Sequence, residues 1–326
     1  MDTPRTNSGF RRMFAPGRLT LGVFFAIESY KGDTPLMQHQ VELARRAEQL
    51  GFSALWFRDV PLRDPSFGDV GQIYDPWVYL GYIAAHTSRI ALATGSIIFP
   101  IRHPLHIAKA AASVDRLSGG RLVLGIASGD RPSEYPAFGI DFTTRGERLR
   151  ETLRYVLEAL NSSFPVIESP FGRMDGVDLI PKPHDGRIPV LVTGNSQQDL
   201  AWIAKNADGW IYYPRSLSRQ ALAITEWREL TQHYCPETFK PFAQSLYIDL
   251  TTDRDDAPEP IHLGFRLGRN RLIEFLQALQ KIGVNHVVLN LKYGSRPAAD
   301  VLEEIGEEVL PLFTTDSAVN EAVADR

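Results

Sequence analysis

The chain has 326 residues, of which 44% are hydrophobic and 23% charged, with a formal net charge of −4. This is the balance of a globular protein with ample material for a buried core, and its negative charge gives no electrostatic reason to bind nucleic acid or an anionic membrane. The one cysteine, Cys235, excludes an intrachain disulfide and a cysteine-cluster metal site, and suits a reducing cytoplasm.

The opening residues contain no apolar run of the kind a signal peptide needs, and nowhere do about 18 apolar residues follow one another, so no membrane span is expected. Residues 1–17 read as a mobile, arginine-bearing arm, residues 18–314 as one domain, and residues 315–326 as a tail. Within the domain, short apolar runs alternate with amphipathic stretches. Residues 19–27 (LTLGVFFAI) read as a first strand, and a helix over 34–50 stops at Gly51. Residues 54–60 (ALWFRDV) form a second strand, and Asp75 followed by Pro76 has the form of a helix cap and first-turn proline. Strand three covers 90–99, and a helix over 104–117 ends at Gly119–Gly120. Strand four covers 121–127.

The pattern then loosens. Residues 128–143, rich in Gly, Pro and Asp, read as a long loop before a helix over 144–160, and residues 161–187 as an excursion that suits a hairpin. Strand five (188–193) with its helix (197–207) and strand six (209–213) with its helix (218–234) follow, then strand seven (242–250). A long charged loop (251–270) leads to a helix (271–282), strand eight (284–291) and a last helix (298–310).

Eight strand–helix units with unbroken apolar strands indicate a parallel sheet covered on both faces. They favour an α/β fold of the (β/α)8 TIM-barrel type, with insertions after strands four and seven. The alternative is an open doubly wound sheet, against which stands the absence of a GxGxxG after strand one.

A barrel of this kind places its chemistry at the C-terminal ends of its strands. There lie Glu28, Arg58 and Asp59, Gly95 and Ser96, Arg102 and His103, Ser128 to Arg131, Thr193 to Ser196, Tyr213, Arg215 and Lys292. The turn Thr193-Gly194-Asn195-Ser196, read as running straight into a helix, would offer free backbone N–H groups to a phosphate; a plain Asn or Ser cap has the same appearance. Arg145, opening the next helix, could grip a phosphate through its planar fork or be ordinary surface charge. His103 and His106 are the only close histidines, no HExxH or GxSxG is present, and no metal is expected. An enzyme without an evident nucleophile fits one whose cofactor carries the chemistry.

Residues 94–130 (TGSIIFPIRHPLHIAKAAASVDRLSGGRLVLGIASGD), followed in order by FGID (138–141), Arg145 with Glu151, PKP (181–183) and 192–213 (VTGNSQQDLAWIAKNADGWIYY), resemble the bacterial luciferase-like flavin-dependent monooxygenases, and within them a branch of luciferase-type oxidoreductases. The resemblance spans nearly the whole chain. It implies a barrel enzyme using FMN, with the deazaflavin F420 as alternative. The cofactor would be bound by Gly95, Ser96, Ser128, Gly129, Arg131, Arg145, Gly194, Asn195, Ser196 and Tyr213, with a non-proline cis peptide at Gly95–Ser96.

The resemblance also implies a homodimer, a separate flavin reductase as partner, and a small organic substrate facing Glu28, Asp59, His103, Tyr213 and Arg215. Asp59, His103 and Glu28 would then move protons; alternatively Asp59 pairs with Arg58, His103 is structural, and Glu28 pairs with an arginine. Two departures stand out. No histidine follows Asp59, where luciferases carry their base, and Ser128 replaces a phosphate-binding arginine for which Arg131 could compensate. A basic channel at Arg102, Arg131 and Lys292 would favour the anionic tail of F420. A non-catalytic flavin-binding protein is the reading from another class.

Overall fold

The structure, a computed structural model, describes residues 6–313. Eight strands follow one another around a closed ring: β1 (Thr20–Phe24), β2 (Ala54–Phe57), β3 (Ala91–Thr94), β4 (Leu122–Ala127), β5 (Val190–Thr193), β6 (Gly209–Tyr212), β7 (Phe242–Leu250) and β8 (His286–Asn290). Each pairs in parallel with its neighbours. β8 closes the ring on β1, with Thr20 opposite His286 and Val23 opposite Leu289. The strands are β-branched and apolar because both faces are covered. One face meets the outer helices and the other meets the barrel interior.

Helices α2 (Gln40–Leu50), α3 (Pro76–Ala84), α4 (Pro104–Leu117), α5 (Arg145–Asn161), α6 (Leu200–Asn206), α7 (Leu217–Tyr234), α8 (Arg269–Lys281) and α9 (Ala298–Glu308) form the outer layer. Sequence punctuation placed several of their ends. Asp75 accepts from the amides of Trp77 and Val78 ahead of Pro76, and Gly51 ends α2 in a left-handed conformation with φ 96°.

The expected mobile arm is corrected. Residues 8–13 form a helix, α1 (Ser8–Met13), that closes the N-terminal end of the barrel. Phe10, Met13 and Phe14 join Ala54, Trp56, Ala93 and Val288 in the interior cluster. Asn7, fully buried, caps α1 at the Phe10 amide (3.0 Å) and donates to the Leu122 carbonyl (2.6 Å). Gly9 allows the close approach, since a Cβ there would lie 2.3 Å from the Arg121 carbonyl oxygen. Aromatic residues punctuated by arginines read as an arm in sequence, but a barrel interior needs filling. The tail assigned to 315–326 lies outside the described residues.

The centre of the interior holds a polar chain. Trp56 Nε1 donates to His286 Nε2 at 2.9 Å, His286 Nδ1 lies 2.7 Å from Thr20 Oγ1, and Thr20 donates to the Met13 carbonyl at 2.6 Å. This places the His286 proton on Nδ1. Burial, aided by the nearby Arg18 charge, pushes the His286 ring down to about 3, so it is neutral at working pH.

The insertions fall where expected. Residues 128–144 carry two single-turn helices, Tyr135–Phe138 and Phe142–Thr144, and the excursion after α5 is an antiparallel hairpin, Ile167–Ser169 with Gly172–Met174. The segment expected as a charged loop after β7 is instead a second hairpin, Glu259–Ile261 with Gly264–Leu267, whose second strand extends the sheet beside β7. Pro260 is tolerated because its strand is the outer edge. Gly264 is needed because a Cβ would stand 1.8 Å from the Tyr247 carbonyl oxygen.

Met13, with 0% exposure, gives the fold its test. Met13→Ala should cost about 2–5 kcal/mol in chemical unfolding, the range for truncating a core side chain. A freely mobile arm would leave the midpoint unchanged.

Candidate active site

Of the cofactor-binding residues named from sequence, those at 95–96, 128–129 and 194–196 lie over the ends of β3, β4 and β5 with Tyr213 after β6, whereas Arg131 turns to the loop after β2, donating to the Asp69 carbonyl and lying over the Phe67 ring. The Gly95–Ser96 peptide is cis, after which the chain resumes at Ile97–Ile98 beside the end of β4. Gly95 is packed so closely that a Cβ would stand 3.0 Å from the Trp56 ring and 3.1 Å from that of Phe24. Ser96 hydroxyl contacts Thr193 hydroxyl, and the Ser128 amide lies 3.3 Å from Ser196 Oγ. Gly129, with φ 74°, backs onto Ile98 and Tyr135, whose hydroxyl donates to the Ser128 carbonyl. Gly146, in the first turn of α5, touches Gln197, which brings neighbouring Arg145 to the same place.

The turn after β5 differs from its sequence reading. Gly194, Ser196 and Gln197 all take left-handed conformations, with φ 59°, 47° and 61°, so the chain turns before any helix begins. Helix α6 starts at Leu200 and is capped by Asp199, which puts a carboxylate where an anion was expected. Gly194 spends its N–H on the Ile211 carbonyl (2.8 Å). The amides of Asn195, Ser196 and Gln197 have no acceptor among the described residues. Consecutive amides with alternating backbone hand form anion-binding concavities. Arg145 lies over the Phe142 ring at 3.7 Å and donates to the Phe142 carbonyl at 2.9 Å, while its buried Nε has no partner. Tyr213 lies beside Gly194, a Cβ on which would be 3.5 Å from its ring.

The three residues given proton-transfer roles each have hydrogen-bond partners. Asp59 is buried and pairs with Arg102 rather than Arg58, at 2.7 and 2.9 Å, while also accepting from the Ile98 amide at 3.0 Å. Both its oxygens are used in holding the strand that follows the cis peptide. His103 caps α4, accepting from the Leu105 amide at 3.2 Å and donating through Nε2 to the Phe171 carbonyl at 3.0 Å. Its ring neighbours are His106, Tyr155 and Phe171, on the outer layer. Glu28 accepts from the Met37 amide at 2.9 Å, not from an arginine. Arg215 lies over the Tyr212 ring at 4.1 Å. Glu28, Asp59, His103 and Arg215 thus each have partners of their own.

A knot forms around Asp69, which the sequence reading passed over. Asp69 accepts from Arg58 (3.0 Å), Tyr30 (2.5 Å) and the Gly71 amide (2.9 Å), and Lys292 Nζ is 3.3 Å away. Its own carbonyl accepts from Arg131 at 2.6 Å, and the Gly68 carbonyl from Lys292 at 2.8 Å. Burial alone would raise the Asp69 carboxyl. The Arg58 charge, the Tyr30 and Gly71 donors and Lys292 overcome it and hold the group at about 2. Asp69 thus ties the loop after β2 to the loops after β1 and β8 through its carboxylate, and to the loop after β4 through its carbonyl. Of the three cations read as a basic channel, Arg102 is spent on Asp59 and Asp75, while Lys292 shares Asp69 with Arg58.

Glu134 is the second residue that sequence did not reveal. It is 1% exposed, and neither carboxyl oxygen makes a hydrogen bond of ordinary geometry. Burial, opposed in part by Arg131 and reinforced by Asp59 and Asp130, pushes it up to about 7. Nη1 of Arg131, three residues earlier, is also buried without a partner. Among the described residues no group of three or more His, Cys, Asp or Glu is placed to hold a metal ion, and no helix is long and apolar enough to cross a membrane.

The folded protein keeps the Glu134 proton to higher pH than the unfolded chain. This contribution to stability is therefore present at acid pH and is lost as pH rises from the ordinary glutamate range through about 7. Glu134→Gln should remove that fall, making the variant about 2–3 kcal/mol less pH-dependent between roughly pH 5 and 8. Parallel pH–stability curves for the two proteins would remove Glu134 from this role.

Comparison with known proteins places this geometry. Residues 19–301 match the family model for luciferase-like monooxygenases. An uncharacterised protein of Mycobacterium tuberculosis (strain ATCC 25618 / H37Rv) is 33% identical over 190 residues, covering 53% of this chain and 67% of that protein. A 4-hydroxyprotoasukamycin monooxygenase of Streptomyces nodosus subsp. asukaensis is 30% identical over 151 residues, 46% of this chain but 39% of its own length. In fold, the chain is similar to an F420-dependent secondary alcohol dehydrogenase in complex with an F420-acetone adduct (TM-score 0.75, 17% identity, 91% and 100% of the two chains). It is similar also to the oxygenating constituent of 3,6-diketocamphane monooxygenase from Pseudomonas putida in complex with FMN (TM-score 0.73, 16% identity, 91% and 99%). With its eight-stranded barrel and a family match over most of its length, the chain belongs to the luciferase-like monooxygenases, a family of enzymes.

Proposed function

We propose that this enzyme is an FMN-dependent monooxygenase acting on a small organic substrate, with reduced flavin delivered by a separate reductase in a cytoplasmic setting. The observation that carries the reading is the set of unsatisfied donors on one arc of the mouth: the amides of Asn195, Ser196 and Gln197, and the buried Nε of Arg145. Accessible amides beside small residues suit a phosphate, and the one buried donor among them, Arg145 Nε, is costly unless a ligand takes it. Arg145, residues 195–197, Ser128 and Gly129 would hold the phosphate end, with Gly95 and Ser96 beneath the ring and Tyr213 at its edge. The bound flavin would supply the redox chemistry, for which the chain shows no nucleophile of its own.

The chain's residues have three further tasks in this reading. The loop pinned by Asp69 limits water at the mouth, where a dry site protects reactive species. Asp59 keeps the residues after the cis peptide in position. Asp59, His103 and Glu28 keep the proton-moving role, and Glu134, buried beside Arg131 and pushed up to about 7, is a further carboxyl in the loop after β4. Arg102, held by both Asp59 and Asp75, is not free for the anionic tail of F420, and this favours FMN.

Reduced FMN and reduced F420 titrated anaerobically against the protein decide between them: FMN should bind and F420 should not. Arg145→Ala should weaken FMN binding by about 1.5–3 kcal/mol, the range for a charged hydrogen bond. Unchanged affinity would take Arg145 out of the site.

The homodimer implied by the family resemblance finds support on α3, which exposes Val78 (72%) and Tyr82 (53%) beside Tyr74. Sedimentation should give a dimer that Val78→Glu with Tyr82→Glu turns into a monomer. A monomeric parent protein would end that assignment.

A further inference from the structure

Across the mouth from the phosphate cradle lies a cleft of ≈ 640 Å³ between the loops that follow β1 and β8. In a closed ring of eight strands β8 stands opposite β4 and β1 opposite β5, so cleft and cradle face each other. A molecule in the cleft would approach the centre of the mouth from the side the phosphate leaves open.

The lining has a distinct chemistry. Ser29, Tyr30, Lys31, Lys292, Tyr293 and Ser295 supply its side chains, three glycines complete it, and no carboxylate is among them. Lys292 is buried, with its ammonium 4.9 Å from the centre of the Tyr30 ring and 5.5 Å from that of Tyr293. Of its three donors, one goes to the Gly68 carbonyl and one faces Asp69. Asp69 is shared with Arg58, so it does not neutralise both cations. Of the other acids on the adjoining loops, Asp33 pairs with Arg63, Asp249 faces Arg266 while accepting from Ser295 of the lining, and Glu28 accepts from the Met37 amide. Tyr293 continues into an aromatic group with Tyr247 (5.4 Å) and His262 (6.0 Å), the latter from the hairpin inserted after β7. The cleft therefore offers aromatic walls, the hydroxyls of Ser29 and Tyr293, and more cations than carboxylates, with Lys31, Lys292 and Arg58 against Asp69 and Glu28.

We propose that this cleft is the substrate site, and that the substrate is a small molecule with a flat apolar body and an anionic group, a carboxylate or sulfonate. Aromatic surfaces take the body, while Lys292 and Lys31 take the anion. The assignment of a substrate rests on the oxidoreductase reading above, but the binding chemistry does not depend on the cofactor.

The test uses the full chain without cofactor, titrated calorimetrically with benzoate, benzenesulfonate and the neutral isostere benzamide. Both anions should bind at least about tenfold more tightly than benzamide, as a charged hydrogen bond implies. Lys31 is exposed, so Lys31→Glu should leave folding intact and weaken the anions several-fold without affecting benzamide. Tyr293→Ala should weaken all three. Equal binding of benzamide, no binding of either anion, or anion binding indifferent to both substitutions would each overturn the proposal. A parallel FMN titration separates the two readings. Benzoate bound without FMN binding would leave the cleft standing and remove the flavin, and FMN bound without benzoate would do the reverse.

Discussion

A closed ring of parallel strands encloses an interior that has to be filled, and most of this molecule answers to that requirement. Helix α1 fills it from below with Phe10, Met13 and Phe14. Trp56 and His286 fill it at mid-height, sharing a hydrogen bond of 2.9 Å. The width is tuned by absence of bulk, since a Cβ at Gly22 would stand 2.8 Å from His286 Nε2 and 2.9 Å from Trp56 Nε1. A buried ring held neutral can sit there only because every polar atom around it has a partner, down to the Thr20 bond to Met13. With the lower half solid and its few polar groups paired, a ligand can enter only at the upper rim.

The rim divides by function along its circumference. From β3 to β5 it is built of small residues and donors without acceptors. From β8 through β1 to β2 it is built of tyrosines and cations organised by Asp69. Buried ion pairs bring a desolvation cost that offsets much of their attraction, so the Arg58–Asp69–Lys292 knot is better understood as a specifier of loop position than as a source of stability. It makes four loops from distant parts of the sequence into one surface. Asp59 and Arg102 do the same at the strand that follows the cis peptide.

Glu134 shows how the same burial that positions groups also tunes them. Arg131 beside it donates to the Asp69 carbonyl and lies over the Phe67 ring at 4.8 Å, leaving the carboxyl without a full counterion. A carboxyl pushed up to about 7 can both give and take a proton in the neutral range.

Periodicity and punctuation carried the barrel a long way. The eight strand–helix units, the helix Pro104–Leu117 and the strand Phe242–Leu250 stand where the residues placed them, because apolar runs and glycine or proline stops act locally. The family resemblance, rather than periodicity, singled out the small residues at 95–96, 128–129 and 194–196, and at Gly95 close packing against Trp56 and Phe24 permits little else. Partner choice was another matter. That Asp59 would meet Arg102, that Asp69 would gather Arg58, Tyr30 and Lys292, and that α1 would be core all depend on residues far apart in sequence. A charged side chain reads alike in sequence whether it ends in solvent or in a knot, and the folded chain decides by what it brings within 3 Å and what it shuts away from water.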